Sequence, residues 1–297
     1  MKTTLRIIRW FHWVFIYILL FGLFFGQIHP GVHAVAWTQP VLHEGNKLVE
    51  TWRFRDAERI QTEHISLFYP PSLKPQARLI AREAERVYAR FEQRYGLPLN
   101  DPVPVFLFPD RTSLQEHFFW HKGQSASGVY YSGAIYLLNP HIWDQKLPDP
   151  KADPQTWAKR FRRQGPLVHE FAHLYLDKIT KGNYPRWYTE AFAQWVEYKE
   201  IGYEWTPGSN QRPDALYAYS DLLRHFDDLP DQALAYRESF LFLQWSIRRQ
   251  GEDSLGKLHK ELKRGQDFAA AWQEVYGETP DDSFRQWARQ AGYQLRD

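Results

Sequence analysis

Cysteine is absent from this 297-residue chain, and methionine occurs once. The first absence excludes a disulfide framework, a thiolate metal site and a cysteine nucleophile, so any metal chemistry must run on histidine and carboxylate ligands. An excess of one charge is lacking too, since 37 lysines and arginines face 35 aspartates and glutamates. Lys2, Arg6 and Arg9 lie in the first 36 residues, which carry no acidic group, leaving 34 basic against 35 acidic residues beyond them. That near-neutral remainder implies neither nucleic acid nor an anionic membrane surface as a partner. No internal repeat or low-complexity tract is present, and a second E-x-x-H pair, which a di-iron carboxylate site would need, is missing.

The first 36 residues combine a positive start, an almost wholly apolar run over residues 10 to 26 and the small-residue pattern Ala34-Val35-Ala36. Together these read as an export signal. The run is long for a cleaved peptide and slightly short for a spanning helix, so a signal peptide and an uncleaved N-terminal membrane anchor both stay open. Either places the rest of the chain outside the cytoplasm, secreted or held at the membrane. Residues 37–60 show no strong period and read as a linker or edge segment. The remaining stretch, 61–297, is long enough for one domain with its own core.

Aromatic residues make up 17% of the chain, with 13 tryptophans. Many sit at periodic apolar positions, which suits core packing; stacking platforms for sugars are the alternative.

Residues 166 to 197, PLVHEFAHLYLDKITKGNYPRWYTEAFAQWVE, carry the chemistry. On a helix, His169 and His173 are four residues apart and stack on one face, so both imidazoles can reach one zinc ion. Glu170 projects beside that metal and can accept a proton from its water, whose pKa zinc lowers to about 7. A third protein ligand is then required, with the fourth position left to water. Glu190 suits that role: the first helix stops at Lys181-Gly182-Asn183, Pro185 opens a second, and an antiparallel return brings Glu190 back beside the histidines.

HEFAH followed by PRWYTEAFAQWVE resembles the peptidase MA family of zinc metallopeptidases, the gluzincins, whose pattern is HExxH and then W-x-x-E-G-x-A. The resemblance implies one zinc ion held by His169, His173 and Glu190, Glu170 as general base, and hydrolysis of a peptide or protein substrate. Ala191 departs from the family pattern, standing where glycine is usual. The segment AYRESFLFLQWSIRRQG is similar to a family helix whose tyrosine faces the zinc; Tyr236 would then donate to the oxyanion of a tetrahedral intermediate. His225 is a weaker candidate for that role and suits a solvated helix face equally well. Gln194, one turn beyond Glu190, is placed to hydrogen-bond to a ligand.

The element pattern predicts an α+β, zincin-like fold with a mixed sheet and helices upstream, a helical C-terminal lobe, and the metal between them. Strands are expected near 63–70, 103–108, 128–131 and 134–138, and a helix from Pro75 to Tyr95. A short helix should cover 114–120. Zincins commonly place an edge strand before the metal helix to pair with extended substrate, which by resemblance would assign that role to Ala134, Ile135 and Tyr136. Asp153-Pro154, Gly165-Pro166 and Thr279-Pro280-Asp281-Asp282 mark helix starts, and residues 199–213 read as a loop rimming the site. Two other functions share these residues: a zinc hydrolase acting on a non-protein amide, and a non-catalytic cell-envelope binding protein with a structural metal.

Overall fold

The structure, a computed structural model, describes residues 34–97, 101–121, 125–204 and 215–296, with side chains from residue 42 onward. The leader before residue 34 lies outside the described residues, as does most of the expected 199–213 loop. No helix among the described residues is long and apolar enough to cross a membrane.

The chain is a mixed α+β protein. It opens with α1 (Ala34–Arg53), then β1 (Glu58–Gln61) and β2 (Ile65–Tyr69). This corrects the linker reading of 37–60, although β1 is indeed an edge strand. The reason is physical: α1 turns polar residues inward and apolar ones outward, so it lacks the buried apolar stripe by which a helix is normally recognised.

After β2 come α2 (Lys74–Tyr95), β3 (Val103–Phe108), α3 (Arg111–Phe118), β4 (Gly128–Tyr131), β5 (Ala134–Leu138) and the single turn α4 (Pro140–Trp143). The five strands form one sheet in the order β1-β2-β3-β5-β4, with β2, β3 and β5 parallel and both outer strands antiparallel. The central strands alternate between two cores, as a sheet buried on both faces must. Ile65, Leu67, Val103, Val105, Leu107, Ile135 and Leu137 face α2 and the helices beyond. Phe68, Phe106, Phe108, Tyr136 and Leu138 face the smaller core beneath α3, where Phe54, just past α1, packs its ring 4.5 Å from Phe106.

Strand order overturns one expectation. β5 lies between β3 and β4, so Ala134, Ile135 and Tyr136 are central, and the strand with a free edge next to the HEFAH helix is β4.

Helix α5 (Pro154–Gln164) starts as expected, with the Asp153 carboxylate accepting from the Thr156 N–H. It leads into α6 (Leu167–Thr180) and α7 (Arg186–Ile201), the antiparallel pair that holds the motif. Beyond them a two-stranded ribbon, β6 (Ala215–Leu216) with β7 (Gln294–Leu295), brackets a helical lobe of α8 (Tyr219–Arg224), α9 (Gln232–Gln250), α10 (Asp253–Lys263), α11 (Phe268–Tyr276) and α12 (Pro280–Ala291). Thr279 caps α12 by accepting from the Asp282 N–H. Much of the aromatic content fills this interior: Trp187, Phe242, Trp272, Phe284 and Trp287 are all buried and meet ring to ring.

Candidate metal centre

His169, Glu170 and His173 occupy the first two turns of α6, and Glu190 lies one turn into α7. The helices are joined by a tight reversal. Lys181 and Gly182 both take left-handed φ, 58° and 71°, and the Asn183 amide donates to the carbonyls of Leu262 and Gln266 at 3.0 and 2.8 Å. So folded, the reversal brings Glu190 against both imidazoles. His169 Nε2 lies 3.2 Å from Glu190 Oε2, and His173 Nε2 lies 3.5 Å from Glu190 Oε1.

These three residues form a group that could hold a metal ion, with all ligand atoms within 4.8 Å of one another. The spacing can be tested against chemistry. A tetrahedral ion with ligand bonds of about 2.1 Å needs its ligand atoms about 3.4 Å apart. Both measured separations fit.

The remaining ring nitrogens are also engaged. His169 Nδ1 is 2.9 Å from Glu197 Oε2, and His173 Nδ1 is 2.6 Å from Thr189 Oγ1. A carboxylate accepts from Nδ1–H, which leaves the Nε2 lone pair of His169 for the metal side. Such partners fix the ring orientation and tautomer. Glu197 lies two turns beyond Glu190 on the same helical face, a spacing that could have revealed it in the sequence.

Charge is arranged unevenly among the buried groups. Burial opposes ionisation of Glu190, but His173, Arg186 and His169 outweigh it and hold the carboxyl well below its usual range. Burial disfavours the charged form of His169 too, yet Glu197 and Glu190 drive its pKa well up, so its Nε2 holds a proton that a metal would have to displace. His173 is pushed down to about 3, chiefly by burial, which keeps it neutral as a ligand must be. Glu170 goes the other way: burial, aided by the negative charges of Glu190 and Glu197, raises it to about 8 against the opposing pull of His169.

Strand β4 crosses directly over Glu170. The Tyr130 backbone N–H donates to its carboxylate. A Cβ on Gly128 would stand 2.7 Å from Glu170 Oε1 and 2.7 Å from Pro166 Cβ, so only glycine permits this approach. Nothing local in the sequence marks Gly128, because what it must clear lies some forty residues further on.

Asp177, one turn beyond His173 on α6, gathers three further groups. It accepts from the Tyr130 hydroxyl, from the Tyr184 hydroxyl at 3.2 Å, and meets His43 Nε2 of α1 at 2.9 Å.

Arg186 donates to Glu190 Oε1 and, through Nε, to Asp227 at 3.1 Å. Its Nη2 lies 3.5 Å from the Tyr236 hydroxyl. Tyr236 is half-buried, its ring packs against Phe226, and burial together with Glu190 raises its pKa, so the hydroxyl keeps its proton. The structure thus brings Tyr236 to the Arg186–Glu190 side of the cluster. His225 is exposed at the C-terminus of α8. Gln194 donates to the backbone carbonyls of Tyr236 and Glu190 at 3.0 and 3.4 Å, tying α7 to α9 rather than bonding to a ligand side chain. Ala191 is fully buried, its methyl absorbed by the core.

Two imidazoles and one carboxylate, with a second buried carboxylate beside them, define a candidate metal centre in a mixed α+β protein. The chain matches no protein-family model and no curated protein.

Proposed function

We propose that this chain is a zincin-like zinc metallopeptidase that hydrolyses peptide bonds outside the cytoplasm, secreted or anchored by its N-terminal segment. The observation that supports this most is the convergence of His169 Nε2, His173 Nε2 and Glu190 on one point, with Glu170 buried alongside and outside the ligand group. Three protein ligands leave a fourth position open, as a hydrolytic site needs and a closed structural site does not.

When bound, zinc supplies Lewis acidity and lowers the pKa of a coordinated water to about 7. The remaining work falls to the chain. In its ionised form, which a cation bound beside it would favour, Glu170 takes the proton from the attacking water and returns it to the departing amine, its carboxylate aimed by the Tyr130 N–H. Tyr236, kept protonated by burial, is a hydroxyl donor on the Arg186–Glu190 side and serves the oxyanion. The free edge of β4, passing over Glu170, is where an extended substrate backbone would lie.

The test joins metal content with cleavage. Elemental analysis should find about one zinc per parent chain and a clear loss in Glu190→Ala, and a peptide library should be cut by the parent and left intact by Glu170→Gln. Equal zinc in parent and Glu190→Ala would remove Glu190 from the site. Undiminished cleavage by Glu170→Gln would end the mechanism.

A further inference from the structure

From Leu42 onward, helix α1 is polar where it meets the protein and apolar where it does not. On its inner side His43 reaches Asp177, Asn46 donates to the carbonyls of Tyr131 and Ser132 at 3.4 and 3.3 Å and to the Tyr136 hydroxyl at 3.2 Å, and the buried Glu50 lies 3.4 Å from His117. On its outer side Leu42, Leu48, Val49 and Trp52 are 52, 71, 57 and 68% exposed. At about 100° per residue, His43, Asn46 and Glu50 share an arc of roughly 60°, and the four apolar residues lie outside it on an arc of roughly 120°, with Leu48 and Trp52 on the far side of the helix. Half of the exposed large hydrophobic side chains among the described residues belong to this one helix. A helix of a water-soluble domain has the reverse arrangement, so the outer face is built for a partner.

The chain itself indicates which partner. The apolar run ends at residue 26 and α1 begins at Ala34, so seven connecting residues reach at most about 25 Å fully extended. Once that run enters a bilayer, α1 starts within that distance of lipid. Its outer face has the composition of an interfacial helix: leucine and valine with a tryptophan, and Arg55 holding its guanidinium 4.6 Å over the Trp52 ring. The near-neutral charge beyond the leader makes apolar burial, not attraction to anionic headgroups, the driving force.

We propose that α1 lies flat on a phospholipid bilayer, with Leu42, Leu48, Val49 and Trp52 in the acyl boundary. Its inner face then holds the β4–β5 hairpin and, through His43 and Asp177, the metal helix at the membrane surface. The proposal stands whether or not the site holds zinc.

The absence of cysteine makes the test clean. A Leu48→Cys variant of the full-length chain carries a single thiol at an exposed position, and an environment-sensitive dye placed there reports its surroundings. In phosphatidylcholine vesicles its emission should shift to the blue and be quenched by acyl-chain spin labels. The same dye at Arg82→Cys, on the exposed side of α2, should stay water-like. Adding Trp52→Asp to Leu48→Cys should weaken the shift. Water-like emission at residue 48 in vesicles would overturn the proposal. A blue shift that ignores the lipid quencher and grows with protein density would also overturn it, by assigning the face to a second copy of the chain.

Discussion

The two helical interfaces of α7 handle buried polarity in opposite ways. Toward α6 it buries ionisable groups in quantity: Glu170, His173, Asp177, Glu190 and Glu197 are all nearly inaccessible, and each has a hydrogen-bonding or oppositely charged partner. Toward α9 and the helices behind it the interior is aromatic, built on Trp187, Phe242 and Trp272, with one carboxylate, Glu238, fully buried in α9. Glu238 accepts from the Tyr217 N–H at 3.1 Å, its other oxygen has no hydrogen-bond partner, and burial drives its pKa far above the usual range. Glu190, with the Arg186 guanidinium against it, stays ionised in spite of burial; Glu238, whose burial is not offset in that way, stays neutral.

The comparison can be broken most sharply at Glu170. Glu170→Gln should lower peptide hydrolysis by about 10²- to 10⁴-fold in single-turnover assays and leave metal content unchanged, because it removes a base and no ligand. On the aromatic side, Trp187→Ala should cost about 3–5 kcal/mol of stability in denaturant unfolding. A loss under about 1 kcal/mol there would show that the lobe is loosely packed. Glu197→Gln should weaken metal binding by about 10- to 100-fold in chelator competition, since His169 loses the acceptor that orients its ring; an unchanged affinity would make Glu197 a bystander.

The smallest effect concerns Glu238 and depends on pH. Its carboxyl ionises near 4.5 in the unfolded chain and far higher in the folded one. Stability is therefore fully present below pH 4.5 and declines as pH rises above it. Glu238→Gln should flatten that decline, gaining stability at pH 8 and nothing near pH 4 in thermal melts. A parallel pH profile for the two proteins would place the titration elsewhere.

Much of this comparison can be read in the sequence, though not all. HEFAH and Glu190 met as their helical spacing required, and Asp153 and Thr279 cap the helices they precede. The positions of β2 to β5 were legible because each apolar run is short and bounded by turn residues; the polar edge strand β1 and the two-residue strands β6 and β7 carry no such run. Strand order was not: the Ser132-Gly133 turn shows that β4 and β5 pair, but which of them reaches the edge depends on where β5 meets β3. Gly128 was invisible for a similar reason, its constraint being a clash with a distant residue. α1 escaped because its inner face is held by single polar contacts, which leave no periodic apolar signal.

The Asn183 amide gives the site a timetable. Its two acceptors, the carbonyls of Leu262 and Gln266, lie 79 and 83 residues further along the chain. A chain made from its N-terminus therefore completes all three candidate ligands well before the clamp on the turn between them exists. A fragment ending before Leu262 carries all three candidate ligands and still lacks the bonds that clamp the turn between their helices, so the site is finished only when the chain nearly is.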